Sequence, residues 1–141
     1  MNKFLPIKNK KIGILGAGQS GIAAAQLAYE LGANVFVSDI NKKNKINFKE
    51  DIKTEFGCHS NKILDSDFII KSPGISRKSK IMKEILDSST PIISELEFAS
   101  WFTKSFIIAL TGTNGKTTTV ELINKILSDY GLKTFLGGNI G

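Results

Sequence analysis

Lys116 and Thr117 are the residues of this sequence best placed to do chemistry. They belong to the run T-G-T-N-G-K-T-T at residues 111–118, with an apolar segment before it and a helical pattern after it. A loop of this kind at a helix start turns backbone N–H groups and the positive helix end toward a phosphate. From there the Lys116 ammonium can reach the β- and γ-phosphates of a nucleotide, and the Thr117 hydroxyl can reach the accompanying Mg2+. Gly112 and Gly115 leave room for backbone to wrap phosphate, and Asn114 helps to hold the turn. The strict G-x-x-x-x-G-K-[ST] pattern asks for glycine at position 110, where this chain has Leu110. The loop is therefore a shorter variant whose first glycine is Gly112. The bland alternative is a surface turn in which Lys116 and Thr117 merely begin a helix. It leaves both glycines, and the strand-like run before them, without a reason.

A second signal lies near the start. Gly16, Gly18 and Gly21 form G-x-G-x-x-G between an apolar run and an alanine-rich helical segment, and Asp39 follows 18 positions after Gly21. Such a turn serves a tight bend, close approach to a diphosphate and close helix packing, and the acidic residue suits a ribose hydroxyl. The pattern alone leaves three readings open: a dinucleotide, another diphosphate ligand, or tight packing with no ligand. Ser72, Pro73 and Gly74 end another strand-like run. That edge of a parallel sheet is where ligands bind, although a plain turn accounts for the same residues. Glu95 and Glu97 open a helix, where carboxylates favour the dipole. Asn139, in a closing glycine-rich turn, either bonds a ligand or tolerates an unusual backbone angle. Cys58 and His59 are the only cysteine and histidine, so neither a disulfide framework nor a Cys/His metal cluster is expected.

These residues need elements to position them. Periodicity and turn residues predict strands at residues 11–15, 35–37, 67–71 and 92–93, and helices at 22–31, 78–86 and 95–102. Residues 48–56 read as a short helix and a short strand. A further strand at 106–110, a helix at 117–130 and a strand at 134–136 complete the chain. Strands alternating with helices predict an α/β fold, a Rossmann-like parallel sheet followed by the start of a second, phosphate-loop α/β domain. The expected domains are residues 1–100 and 101–141, the second of them incomplete.

Composition bounds the classes of function. An apolar fraction of 41% supports a real core, and 23% charged residues with three prolines argue against disorder. The net charge of +6 invites a nucleic-acid reading, but Arg77 is the only arginine, so arginine forks for base reading are missing. Lysines cluster at residues 8–11 and 42–45 beside asparagines, as on solvated loops. Neither a signal-peptide core nor a run of about 18 apolar residues is present, so a cytoplasmic protein is expected, without nucleic acid or membrane partners. One chain with both turns narrows the choice. A dehydrogenase leaves the second turn idle and a plain ATPase leaves the first idle. An ATP-driven ligase whose other substrate is a nucleotide conjugate uses both.

G-A-G-Q-S-G at residues 16–21, K-S-P-G-I at 71–75, G-T-N-G-K-T-T-T at 112–119 and G-G-N-I-G at 137–141 resemble the Mur ligases of bacterial cell-wall precursor synthesis. The D-glutamate-adding branch matches best, because the alanine-adding branch typically has histidine where Asn114 stands, and other branches lack the first glycine turn. The resemblance spans essentially the whole chain but only the first domain and the start of the second of the family's three. It implies a monomer that phosphorylates the carboxylate of UDP-N-acetylmuramoyl-L-alanine with ATP and couples the acyl phosphate to D-glutamate. It places Gly18, Gln19, Ser20, Asp39, Ser72, Pro73 and Gly74 against the UDP part and Asn139 against the muramoyl part. Gly112, Thr113, Asn114, Gly115, Lys116, Thr117 and Thr118 fall to ATP, with Thr117 also on Mg2+. Ile40 and Asn41 stand where the best-known members have threonine and arginine, so uracil contacts should differ. The later magnesium ligands and the D-glutamate domain lie outside these residues, so the chain alone is expected to be inactive. The runner-up reading is an NAD-binding oxidoreductase or a non-catalytic nucleotide sensor.

Overall fold

The structure, a computed structural model, describes residues 7–42 and 48–138. The chain divides into two compact units, Met1–Thr103 and Lys104–Gly141.

The first unit is built on a parallel sheet of β1 (Lys11–Leu15), β2 (Asn34–Asp39), β3 (Lys53–Phe56), β4 (Phe68–Lys71) and β5 (Ile92–Ser94), in the order β3-β2-β1-β4-β5. All four pairings are parallel, with Ile14 opposite Val37 on one side and Ile70 on the other. Both sheet faces are covered, so the central strands are apolar almost throughout. One face carries Ile12, Ile14, Val35, Val37, Phe68 and Ile70 against α1 (Gln19–Glu30) and α3 (Glu95–Ser100). The other carries Leu15 and Ile69 against α2 (Lys80–Asp87) and a 3-10 turn at Asn61–Leu64. This is the doubly wound α/β arrangement expected from the sequence.

Local chemistry explains the elements. Helix α1 packs small residues, Ala24, Ala25 and Ala28, which let it lie close to the sheet. It ends at Gly32, whose φ of +84° suits glycine. There Gly32 N–H donates to Tyr29 O (2.9 Å) and Ala33 N–H to Ala28 O (3.0 Å), a Schellman closure. Helix α3 is capped by Ser94, whose hydroxyl accepts from Glu97 N–H at 3.0 Å. Its Phe98 is buried against Phe68, Trp101 and Phe102, with ring centroids 5.1–6.4 Å away. Gly13 lets the 3-10 turn approach the sheet, since a Cβ there would lie 2.8 Å from the Ile63 side chain.

Two expectations need correction in this unit, and one element was missed. Residues 48–52 form no helix, and only the strand half of the 48–56 prediction is present, as β3. Helix α1 begins at Gln19, not at residue 22, because the glycine turn itself supplies its cap and first turn. The 3-10 turn at Asn61–Leu64 went unpredicted because its short polar–apolar mix has no helical period.

The second unit holds α4 (Lys116–Asp129), closed at Gly131 by Leu132 N–H to Leu127 O at 3.0 Å. The strands expected at residues 106–110 and 134–136 are not formed. A strand is stabilised by a paired neighbour and a covered face. Among the described residues of this unit no segment supplies either. Phe106 and Phe135 are 92% and 93% exposed, and no residue of α4 is buried.

Candidate functional site

In strand order β3-β2-β1-β4-β5, successive connections leave β1 in opposite directions, so the sheet's switch point lies between the carboxyl ends of β1 and β4. The glycine turn leaves β1 there and the Ser72–Pro73–Gly74 turn leaves β4 there. Two segments that are 56 positions apart at Gly16 and Ser72 thus meet at one crevice.

The three glycines do different work. Gly16 has φ of +105°, and a Cβ on it would sit 2.7 Å from the Ser72 hydroxyl. Gly21 lies so close to the Gly16 carbonyl that a Cβ would overlap its oxygen. Gly18 is exposed, and a Cβ on it would meet nothing within 4 Å. Gly16 and Gly21 are thus consumed by packing, while Gly18 keeps the turn's outer surface low, as close approach of a diphosphate requires. Gly18 is also the cap of α1, and no side chain caps that helix end. The first amides of a helix have no intrahelical acceptor, and the first turn of α1 holds no acidic residue. Gln19 and Ser20 are exposed at the same end. The arrangement suits an anion.

Asp39 is 5% exposed and backs the turn from within. Its Oδ2 accepts from Ala17 N–H at 2.6 Å, and its Oδ1 accepts from the backbone and side-chain N–H groups of Asn41 at 2.8 and 3.0 Å. The residue expected to meet a ribose is therefore engaged in shaping the glycine turn. Ser72 is held at three points. Its N–H donates to Leu15 O (2.9 Å), its carbonyl accepts from Lys71 Nζ (2.9 Å), and its hydroxyl donates to Glu95. Pro73 and Gly74 are exposed beside it. Asn139 lies outside the described residues.

A polar group beside β2 was not legible in the sequence. The fully buried Ser38 hydroxyl lies 2.8 Å from His59 Nδ1 and 3.1 Å from Glu55 Oε2. Burial pushes the Glu55 carboxyl up, but hydrogen bonds from Ser60 and Ser38, with Lys62 nearby, outweigh it and hold the group below its ordinary range. The only sequence signal was a polar residue at the end of an otherwise apolar strand. A hollow ringed by Tyr29, Lys49 and Asp51 opens at the opposite, amino edge of the sheet. Its groups serve each other, with Tyr29 Oη donating to Asp51 at 2.9 Å.

In the second unit Gly115 caps α4 with φ of +73°, a left-handed backbone that favours glycine. Gly112 has φ of +150°, and both glycines have open space where a Cβ would stand, apart from the Asn114 carbonyl oxygen 3.9 Å from Gly112. Lys116 Nζ folds over the loop and donates to the carbonyls of Gly112 and Thr113. Thr113, Asn114, Thr117 and Thr118 are exposed on the same loop and helix start. The loop therefore has open backbone, a fourteen-residue helix whose start no side chain caps, and an ammonium folded across it. These features fit a nucleotide phosphate and its Mg2+. Among the described residues no group of three or more His, Cys, Asp or Glu side chains could hold a metal by itself.

Sheet order and turn geometry define the first unit as a Rossmann-like α/β domain. Comparison with known proteins narrows the class. Residues 10–94 match the family model described as "Mur ligase MurD-like, N-terminal domain". The chain is 41% identical to the UDP-N-acetylmuramoylalanine--D-glutamate ligase of Chloroherpeton thalassium, over 96% of this chain and 31% of that protein. It is 44% identical to the ligase of the same name from Elusimicrobium minutum, over 100% of this chain and 33% of that one. Among solved structures, a pseudomurein peptide ligase type C from Methanothermus fervidus superposes with a TM-score of 0.60 and 32% identity, covering 87% of this chain and 27% of the other. A UDP-N-acetylmuramate-alanine ligase from Thermotoga maritima gives 0.52 and 26%, covering 87% and 30%. The chain belongs to the Mur ligase family, in its MurD-like branch. It spans about a third of the length of the curated relatives it matches.

Proposed function

We propose that this chain is the amino-terminal part of an ATP-dependent ligase that joins D-glutamate to UDP-N-acetylmuramoyl-L-alanine through an acyl phosphate. On this reading the first unit is the UDP-binding domain, the second begins the ATP-binding domain, and the 141 residues alone do not make the amide bond. The observation that supports it most is the division of labour at the switch point, where Gly16 and Gly21 are packed shut and Gly18 is open. The amides at the start of α1, with Gln19 and Ser20, would receive the diphosphate. The Ser72–Pro73–Gly74 turn would form the facing wall, and Asp39 would hold the turn's shape beneath. Asn139 would contact the muramoyl part.

In the second unit Gly112, Thr113, Asn114, Gly115 and Thr118 would cradle the ATP phosphates, and the Thr117 hydroxyl would hold Mg2+. ATP bound there supplies the phosphoryl group that activates the substrate carboxylate. Lys116 would exchange its contacts with loop carbonyls for phosphate oxygens and stabilise developing charge. Its contribution is positioning and electrostatics rather than covalent chemistry. The whole protein would act as a cytoplasmic monomer on small molecules, without nucleic acid. Among the described residues no helix is long and apolar enough to cross a membrane.

Calorimetric titration of the chain with UDP-N-acetylmuramoyl-L-alanine, NAD and ATP tests the reading. Binding of the UDP compound without binding of NAD is expected. Binding of NAD alone would overturn it in favour of an oxidoreductase. D-glutamate-dependent ADP release by the isolated chain would refute its expected inactivity.

A further inference from the structure

We propose that Glu95 is a positioning residue for the switch-point crevice, holding the Ser72 hydroxyl wedged beneath the glycine turn. The inference rests on the proposed UDP-binding role of that crevice for its functional consequence, but not for its geometry.

The Ser72 hydroxyl occupies the space that the missing side chains of Gly16 and Gly21 leave. A Cβ on Gly16 would lie 2.7 Å from that oxygen, and a Cβ on Gly21 would lie 3.2 Å from it. The same hydroxyl donates its proton to Glu95 Oε1. Glu95 stands at the carboxyl end of β5, immediately after Ser94 opposite Lys71, and is half-buried. A carboxylate accepts hydrogen bonds and donates none. It repels a diphosphate, and its Oε1 is already taken by the Ser72 hydroxyl, so its use here is on the protein side. It fixes the rotamer of Ser72, and Ser72 in turn sets the spacing between the β1 turn and the start of α1. The Ser72 backbone is already tied to Leu15 and Lys71. The bond to Glu95 removes the remaining freedom, that of the side chain. Without it the hydroxyl would turn away and leave a gap under Gly16 and Gly21, and the amides aimed at the diphosphate would lose their alignment.

The test uses the 141-residue chain with Glu95→Ala, Glu95→Gln, Ser72→Ala and the double variant Glu95→Ala/Ser72→Ala. Two readouts are taken: affinity for UDP-N-acetylmuramoyl-L-alanine, and hydrogen exchange of the Ala17, Ile22 and Ser72 amides without ligand. Glu95→Ala should weaken binding about tenfold and speed exchange at those three amides by a similar factor, while the β1 and β4 amides keep their protection. Glu95→Gln, which keeps an acceptor for the hydroxyl, should stay within about twofold of the parent on both readouts. Ser72→Ala should match Glu95→Ala, and the double variant should be no worse than either alone. Unchanged exchange and affinity in Glu95→Ala would overturn the proposal. So would a Glu95→Gln variant as impaired as Glu95→Ala, or fully additive losses in the double variant. If the parent chain fails to bind the UDP compound while the exchange results hold, the functional reading falls and the positioning role stands.

Discussion

Paired alanine substitutions in the glycine turn separate packing from ligand approach. At Gly21 the new Cβ would fall well under 3.0 Å from the Gly16 carbonyl oxygen, 3.1 Å from the carbonyl carbon and 3.2 Å from the Ser72 hydroxyl. The obstacle is backbone held by its own bonds, since Gly16 N–H donates to Ser38 O at 2.8 Å and Ala17 N–H to Asp39. Overpacking of this kind costs about 3 kcal/mol or more. Alanine's better helix propensity at this α1 position returns about 1 kcal/mol. The net loss of about 2 kcal/mol corresponds to a fall in Tm of about 10 °C for a unit of this size. At Gly18 the Cβ meets nothing, and φ of −69° is open to alanine. Losing glycine as a cap and gaining a stiffer unfolded chain nearly cancel, so Tm should move by less than about 2 °C. On the proposed function the same Cβ would stand on the surface that the diphosphate approaches. Loss of one charge-assisted amide bond is worth about tenfold to a hundredfold in affinity. The assays are thermal denaturation by circular dichroism and calorimetry with UDP-N-acetylmuramoyl-L-alanine. A Gly21→Ala variant as stable as the parent, or a Gly18→Ala variant of unchanged affinity, would refute this assignment of roles.

The Glu55 carboxyl sits below its ordinary value of 4.5 in the folded state, so its stabilisation is complete above that pH and lost as pH falls through the lower, folded value. Glu55→Gln should therefore flatten part of the acid limb in a plot of Tm against pH, and an unaltered limb would count against it. Asp67 follows the same sign, held low first by Lys11 N–H and then by Lys10. Phe98→Ala removes the buried centre of the aromatic cluster and should cost about 3–5 kcal/mol, read by urea titration of Trp101 fluorescence. In a full-length ligase, Lys116→Ala should lower ATP-dependent turnover at least about a hundredfold in an ADP-release assay while leaving UDP-substrate affinity within about twofold. Parallel loss of both would point to a folding defect instead.

Strands β1, β2, β4 and β5 were legible because they are short, mainly apolar runs bounded by turn residues, whereas β3, Lys-Thr-Glu-Phe with no buried residue, was read only as part of a mixed segment. The glycine turn was legible because positive φ and close approach leave few alternatives to glycine. The partners of the polar groups were not. Nothing in the spacing of Ser72 and Glu95, 23 positions apart, announces a hydrogen bond, because parallel crossovers bring strand ends together without a fixed sequence distance. Glu95 does open α3 as a first-turn carboxylate, but neither its bond to Ser72 nor the bonds of Asp39 to Ala17 and Asn41 could be read from the spacing. The apolar runs at residues 106–110 and 134–136 show the opposite failure. Their composition suits a strand, but pairing depends on neighbours that a local pattern does not contain.

Of the five strands of this sheet, β1 comes first in the sequence and yet lies in the middle. Ile12 pairs with Val35 and Phe68, which follow it by 23 and 56 positions. During translation β1 can dock onto β2 early, but its second edge stays unpaired until β4 leaves the ribosome. Closing so long a segment is entropically costly and slow compared with a local hairpin. For that interval an apolar, hydrogen-bond-hungry edge is open to other chains, and nascent-chain aggregation should concentrate there. The later segment 68–71 thus sets when the unit becomes safe from its neighbours, so substitutions that weaken β4 should lower soluble yield more than their equilibrium cost suggests.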